Sequence, residues 1–234
     1  MQIRVFPDPD NLADVAAKEI AGWLSLDLPS PTLGLAGEGV PGLAYERLRR
    51  HRVPWTRVQA WVTDERFVSE GDPESSSLVA RRALLDHVKA TFHMVRWAED
   101  PHAAAAAYEQ ELEQCLPRGS GGLQPGLVML GVGEDGHTAS LFPGTAALDE
   151  ERRGFVANWV PQLESWRLTA TLPLLASARR TMFLVCGADK AGIVAEILSG
   201  ESDCPAALVT RAAHDPVWLL DREAASLLTL PGND

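Results

Sequence analysis

Basic side chains are in short supply: Lys and Arg total 21 against 32 Asp and Glu, a net charge of −11 over 234 residues. Such an excess repels nucleic acid and anionic membranes, so neither is an expected partner. It leaves a small anionic substrate open, because one pocket needs only a few local cations. Cysteine is scarce too. Cys115, Cys186 and Cys204 are odd in number and form no C-x-x-C pair, which argues against a disulfide framework and a zinc knuckle. Cys186 lies in an apolar run and reads as a small buried residue. No run approaches the ~18 consecutive apolar residues that span a bilayer. The opening Met1-Gln2-Ile3-Arg4-Val5-Phe6 lacks the basic start and apolar stretch of a signal peptide. The expected location is therefore a reducing cytoplasm. His51, His87, His93, His102 and His214 are scattered without metal-ligand spacing, so no metal is expected, and no other cofactor. The absence of a G-x-S-x-G elbow disfavours a serine hydrolase of the α/β-hydrolase type.

What is present is ordinary globular material, 46% apolar and 23% charged, in a chain long enough to bury a full core. Short apolar runs alternate with helix-like segments. Strands are expected at Gln2–Phe6, Thr32–Ala36, Val58–Val62, Leu127–Leu130, Val156–Trp159, Arg167–Thr171, Thr181–Cys186 and Ala207–Val209, with a short one at Phe92–Arg96. Helices are expected at Asn11–Leu26, from Pro41 through Arg52, and at Ser76–Lys89, His102–Leu116 and Ala188–Leu198, with a last one from Asp221 after Val217–Leu220. Thr63–Pro73 reads as a polar loop and Gly119–Gly122 as a flexible turn. Leu127–Leu130 has no polar alternation, as a central parallel strand covered on both faces requires. The alternation implies βαβ units in one α/β domain over residues 1–234. Its sheet is mainly parallel, with helices on both faces. Ligands of such sheets bind at the carboxyl ends of the strands, so the loops that follow strands carry the chemistry.

The strongest of these is Gly131-Val132-Gly133-Glu134-Asp135-Gly136-His137-Thr138-Ala139-Ser140-Leu141-Phe142-Pro143, directly after the central strand. Its glycines let the backbone turn and approach a ligand. Amides at a following helix start would bind an anion. His137 stands at the mouth, able to exchange a proton near neutral pH, and Asp135 is placed to orient it. Gly131, Gly133 and Gly136 also satisfy the dinucleotide pattern G-x-G-x-x-G. Pro143 interrupts the helix that pattern needs, and no acidic residue ends the next strand ~20 residues on.

A second loop, Thr63-Asp64-Glu65-Arg66-Phe67-Val68, brings two acids and an arginine to a strand end. Arg66 could grip a phosphate bidentately, and Asp64 could order a catalytic group or a substrate hydroxyl. A solvated surface ion pair explains the same residues equally well. In the third, Gly37-Glu38-Gly39-Val40-Pro41, free amides form a candidate phosphate nest, although a plain βα turn is the simpler reading. It lacks the Lys-Ser/Thr ending of a P-loop. In the fourth, Gly187-Ala188-Asp189-Lys190, a lysine sits where the helix dipole disfavours it, which suggests a ligand, although most such lysines are merely exposed. Arg167 starts another apolar strand and is a weaker candidate.

In this order, these loops resemble the 6-phosphogluconolactonase family. The segments that carry the likeness are Asp64-Glu65-Arg66-Phe67-Val68 and Gly131 to Pro143. Arg167-Leu168-Thr169-Ala170-Thr171-Leu172-Pro173, Gly187-Ala188-Asp189-Lys190 and Val217-Trp218-Leu219-Leu220-Asp221 support it. The resemblance runs from about Gly34 to Ala225. It implies the Rossmann-like fold shared with glucosamine-6-phosphate deaminase and hydrolysis of 6-phosphogluconolactone in the oxidative pentose phosphate pathway. His137 matches the family's proposed general base. Arg66 and Lys190 match cationic positions facing substrate. Gly37, Glu38, Gly39, Gly133 and Arg167 would complete the substrate site, and Asp135 and Asp64 the catalytic one. The expected partner is a sugar-phosphate lactone, with the chain a monomer or weak homo-oligomer.

Family members often have Ser-Asn after the loop's Asp-Pro, whereas here Ser75-Ser76 follows Asp72-Pro73-Glu74. The family's glycine turn usually reads Gly-Gly-Ser-Thr-Pro, whereas here Gly37-Glu38-Gly39-Val40-Pro41 has neither hydroxyl. The deaminases carry Asn and Glu where this chain has Leu141 and Phe142. The competing readings are a deaminase/isomerase of amino-sugar phosphates and a non-catalytic sugar-phosphate-binding protein.

Overall fold

A computed structural model describes residues 1–28, 30–37, 40–69 and 71–228. In chain order the strands are β1 (Gln2–Phe6), β2 (Thr32–Leu35), β3 (Gln59–Val62), β4 (Asp64–Arg66), β5 (Thr91–His93), β6 (Arg118–Gly119), β7 (Gly122–Leu123), β8 (Leu127–Leu130), β9 (Phe155–Val160), β10 (Ser165–Ala170), β11 (Arg180–Val185) and β12 (Pro216–Asp221). The helices are α1 (Pro9–Leu24), α2 (Val40–Leu48), α3 (Ser76–Ala83), α4 (Pro101–Cys115), α5 (Leu172–Ala176), α6 (Ala191–Ser199) and α7 (Pro205–Ala212).

Seven strands form one sheet in the order β1-β12-β11-β8-β2-β3-β5, and every pairing in it is parallel. As the unbroken apolar pattern requires, β8 is central and all four of its residues are buried. From β2 the chain proceeds through β3 to β5 at one edge; from β8 it proceeds through β11 to β12 towards the other. Right-handed crossovers then put α1, α2 and α3 on one face and α4 to α7 on the other. Accordingly, α2 packs on both α1 and α3, while α7 packs on α5 and α6. The winding direction reverses between β2 and β8, and the crevice outside their carboxyl ends is where such sheets bind ligands.

The helix starts follow from local chemistry. Asp8 accepts from Asn11 N at 2.8 Å and Pro9 opens α1; Asp100 caps α4, which Pro101 opens. The core is anchored by Trp61 and Trp218, both fully buried. Trp218 stacks on Phe183 at 4.4 Å. Each such ring removed from water stabilises the fold by roughly 1.5–3 kcal/mol.

Several expectations need correction. The segment read as a polar loop from Thr63 contains β4, and β4-β10-β9 form a separate antiparallel sheet instead of joining the parallel one. Ala207–Val209 is not a strand but part of α7, whose buried residues Ala206, Ala207, Val209 and Thr210 follow helical spacing. The helix from Ser76 ends at Ala83, and a 3₁₀ turn, Leu85–His87, replaces its remainder. No helix starts at Asp221; residues 222–227 are turns. The glycine turn near Gly119 is a tight hairpin of β6 and β7. Among the described residues, no helix is long and apolar enough to cross a membrane.

Candidate active site

A cleft of about 530 Å³ opens at the switch point. Gly37 reaches it from the end of β2, Asp64 and Arg66 from β4, Gly133 and His137 from the loop after β8, Arg167 from β10, and Lys190 from the turn after β11. Ser76, Ser140 and Phe142 complete the walls used below. Glu38 and Gly39, expected to share in phosphate binding, lie outside the described residues.

Asp135 is not part of the lining but holds the residue that is. Its Oδ1 accepts from the His137 backbone N at 3.0 Å and contacts the ring Nδ1 at 2.6 Å. Partial burial pushes the Asp135 carboxyl up, but the backbone and ring bonds from His137 outweigh it and leave it below the usual carboxylate range. An ionised carboxylate cannot donate, so Nδ1 carries the hydrogen and the Nε2 lone pair remains for other chemistry. Phe142 stacks on the imidazole at 4.1 Å and 21°. Gly133 is obligatory here: a Cβ would stand 2.1 Å from His137 Nδ1 and 2.8 Å from Asp135 Oδ1.

The loop after β8 is not followed by a helix, contrary to expectation; the next helical residues are the 3₁₀ turn Ala146–Asp149. Ala139 takes φ 47°, a left-handed conformation that costs a non-glycine residue energy and clusters at functional sites. The small sheet satisfies the loop's polar groups instead. Asn158 Nδ2 donates to Ser140 O and Thr145 Oγ1, both at 2.9 Å. Ser140 N donates to Thr169 Oγ1 at 3.1 Å.

Across the cleft, Ser140 Oγ donates to Asp64 Oδ2 at 2.8 Å. Burial pushes the Asp64 carboxyl above its ordinary range, against the bonds from Ser140 and Thr63 and the nearby charges of His137 and Arg66. Arg66 on β4 stands directly opposite Arg167 on β10 in the strand register. Both line the cleft. Arg66 Nη1 donates to Glu74 O at 2.9 Å. Lys190 Nζ approaches Asp189 Oδ2 at 3.1 Å and Glu134 Oε1 at 3.7 Å, acidic neighbours that temper its charge.

Sequence reasoning named the acids, the cations and the glycines, but gave no role to Ser76, Ser140 or Phe142. The last two sit inside the quoted motif; the signal for Ser76 was its hydroxyl at the start of a helix facing the glycine turn. Among the described residues, no group of three or more His, Cys, Asp and Glu could hold a metal ion.

Fold and site together define a Rossmann-like α/β protein whose switch-point cleft combines a histidine–carboxylate pair with an arginine pair. Comparison with known proteins narrows this. Residues 7–218 match the family described as glucosamine-6-phosphate isomerases/6-phosphogluconolactonase, and the chain belongs to that family. A 6-phosphogluconolactonase from Synechocystis is 39% identical over 84% of this chain and 84% of its own length. One from Mycobacterium bovis is 34% identical over 97% and 98%. The solved structure of 6-phosphogluconolactonase from Trypanosoma brucei superposes with a TM-score of 0.87 at 26% identity, covering 97% of this chain and 98% of that one.

Proposed function

We propose that the chain is a 6-phosphogluconolactonase that activates water with His137. The observation that carries the mechanism is the 2.6 Å contact between Asp135 and His137, whose ring lines the same cleft as Arg66 and Arg167. Nε2 of His137 takes a proton from water as the oxygen attacks the lactone carbonyl carbon. The carbonyl oxygen becomes an oxyanion, stabilised by amides of the Gly131–Gly133 turn. When the tetrahedral intermediate collapses, the carbon–ring-oxygen bond breaks and the imidazolium gives its proton to the departing ring oxygen. Arg66, Arg167, Lys190 and the Gly37 turn hold the phosphate, and Asp64 orders a substrate hydroxyl.

The family also contains glucosamine-6-phosphate isomerases. The hydrophobic side chain of Phe142 covers one face of the His137 ring, at a position where the deaminases carry a carboxylate. This favours hydrolysis over deamination. The test is hydrolysis of freshly generated 6-phosphogluconolactone, with spontaneous hydrolysis subtracted and His137→Ala run beside the wild type. Loss of a general base predicts a fall of roughly 10²- to 10⁴-fold with the fold intact. Equal rates would sink the role of His137. Ammonia release from glucosamine 6-phosphate would replace the reaction, and ligand binding without turnover would leave a binding protein.

A further inference from the structure

Side chains alternate along a strand, so Asp64 and Arg66 of β4 face the cleft while the residue between them faces away. That residue, Glu65, is 5% exposed. Its Oε1 accepts from Arg66 N at 2.9 Å and Ser76 N at 2.6 Å. Its Oε2 accepts from Ser77 N at 2.9 Å and Ser75 Oγ at 3.1 Å. The buried carboxylate thus binds the free amides of the first turn of α3, where the helix dipole favours a negative charge. It also fastens that turn to β4.

What the turn touches gives this contact its consequence. The Glu74 carbonyl, one residue before it, accepts from Arg66 Nη1. On the other side Ser76 crowds the glycine turn: a Cβ on Gly37 would stand 2.4 Å from Ser76 Oγ. The start of α3 therefore meets the Arg66 guanidinium through the Glu74 carbonyl and Gly37 through Ser76.

We propose that Glu65 is a positioning residue of the phosphate wall: by tying the start of α3 to β4 it sets the direction of the Arg66 guanidinium. The inference rests on the assignment of Arg66 to the phosphate made above. Burial pushes the Glu65 carboxyl up while the bonds from Ser75, Ser76 and Ser77 oppose this. An acceptor-only group suits four donors, whereas a glutamine would turn an NH₂ towards two of them.

The test is a double-mutant cycle of Glu65→Gln and Arg66→Ala. Steady-state kinetics with 6-phosphogluconolactone are read beside inorganic phosphate binding by calorimetry. Glu65→Gln should raise KM and the phosphate Kd about tenfold with kcat within about twofold, the pattern of lost uniform binding. In the Arg66→Ala background the same change should shift both by less than about twofold, because no guanidinium is left to place. Equal shifts in both backgrounds, a fall in kcat alone, or a wild type that binds no phosphate would overturn the proposal. Should Glu65→Gln not fold, Ser75→Ala removes one of the four bonds and should raise KM a few-fold, again only when Arg66 is present; an unchanged KM overturns the proposal. A wild type without lactonase turnover, whose phosphate Kd still follows this pattern, would remove the proposed reaction and leave the role of Glu65 standing.

Discussion

At the scale of single residues, the site is sensitive to one carbon atom. Gly133→Ala would put a methyl group 2.1 Å from His137 Nδ1, so either the imidazole or the loop must move. Displacing the ring breaks a charge-assisted bond worth about 1.5–3 kcal/mol. The expected loss in kcat is about 10- to 150-fold, with a circular dichroism spectrum unchanged from wild type; a fully active Gly133→Ala would show that the pair need not be held so closely. Asp64 offers a pH test. Its carboxyl is pushed up by burial, so the folded state holds the proton more tightly than the unfolded chain. The stability this contributes is fully present below the unfolded value near 3.8 and is lost as pH rises through the folded one. Asp64→Asn removes that penalty. Its Tm should therefore gain on the wild type as pH rises above about 4, then level off, while lactonase activity falls. A constant Tm difference across pH would mean Asp64 is not perturbed. Such residues were legible in the sequence as types at strand ends. Their pairing was only partly so: Asp135 and His137 are two positions apart, whereas the bond of Asp64 to Ser140 spans 76 positions.

Among elements, the least legible was the small sheet. The strand Asp64–Arg66 has three residues, too few for period-two alternation to stand out, and its charges read naturally as a loop. Its partners β9 and β10 were found in the sequence and placed in the wrong sheet, because an apolar strand carries no mark of parallel or antiparallel pairing. Likewise Ala206, Ala207 and Val209 form a short apolar run that fits helix and strand alike; Pro205 in the first turn was the signal for a helix. The supporting role of the small sheet can be measured at Asn158, which is 1% exposed and bridges β9 to the loop behind His137. Asn158→Ala leaves Ser140 O and Thr145 Oγ1 without this donor. It should cost about 1–3 kcal/mol in urea unfolding and also lower kcat, since the loop carries the base. A loss of stability with full activity would show that β9 braces the fold without positioning His137.

Over the whole molecule, alternation of strand and helix was enough to anticipate the parallel sheet, its central strand and the end at which the cleft opens. It could not show that the cleft lies between two sheets. One wall and the floor come from the ends of β2 and β8; the other wall, with Arg66 and Arg167, comes from the antiparallel strands. A phosphorylated ligand bound across the cleft therefore contacts both sheets, and its binding energy should appear as global stability. At 100 times Kd, a ligand selective for the native state adds about 2.7 kcal/mol. For a domain of this size that raises Tm by roughly 5–11 °C. The product 6-phosphogluconate, which is not consumed by the hydrolysis, is the suitable probe. The rise should disappear in Arg66→Ala/Arg167→Ala at the same concentration. Without ligand the double variant gives up the bond from Arg66 Nη1 to the Glu74 carbonyl, so its Tm should fall by only about 1–6 °C. A much larger drop in its unliganded Tm would instead mean that the arginines chiefly brace the cleft wall, and that the anion is not what they are arranged to bind.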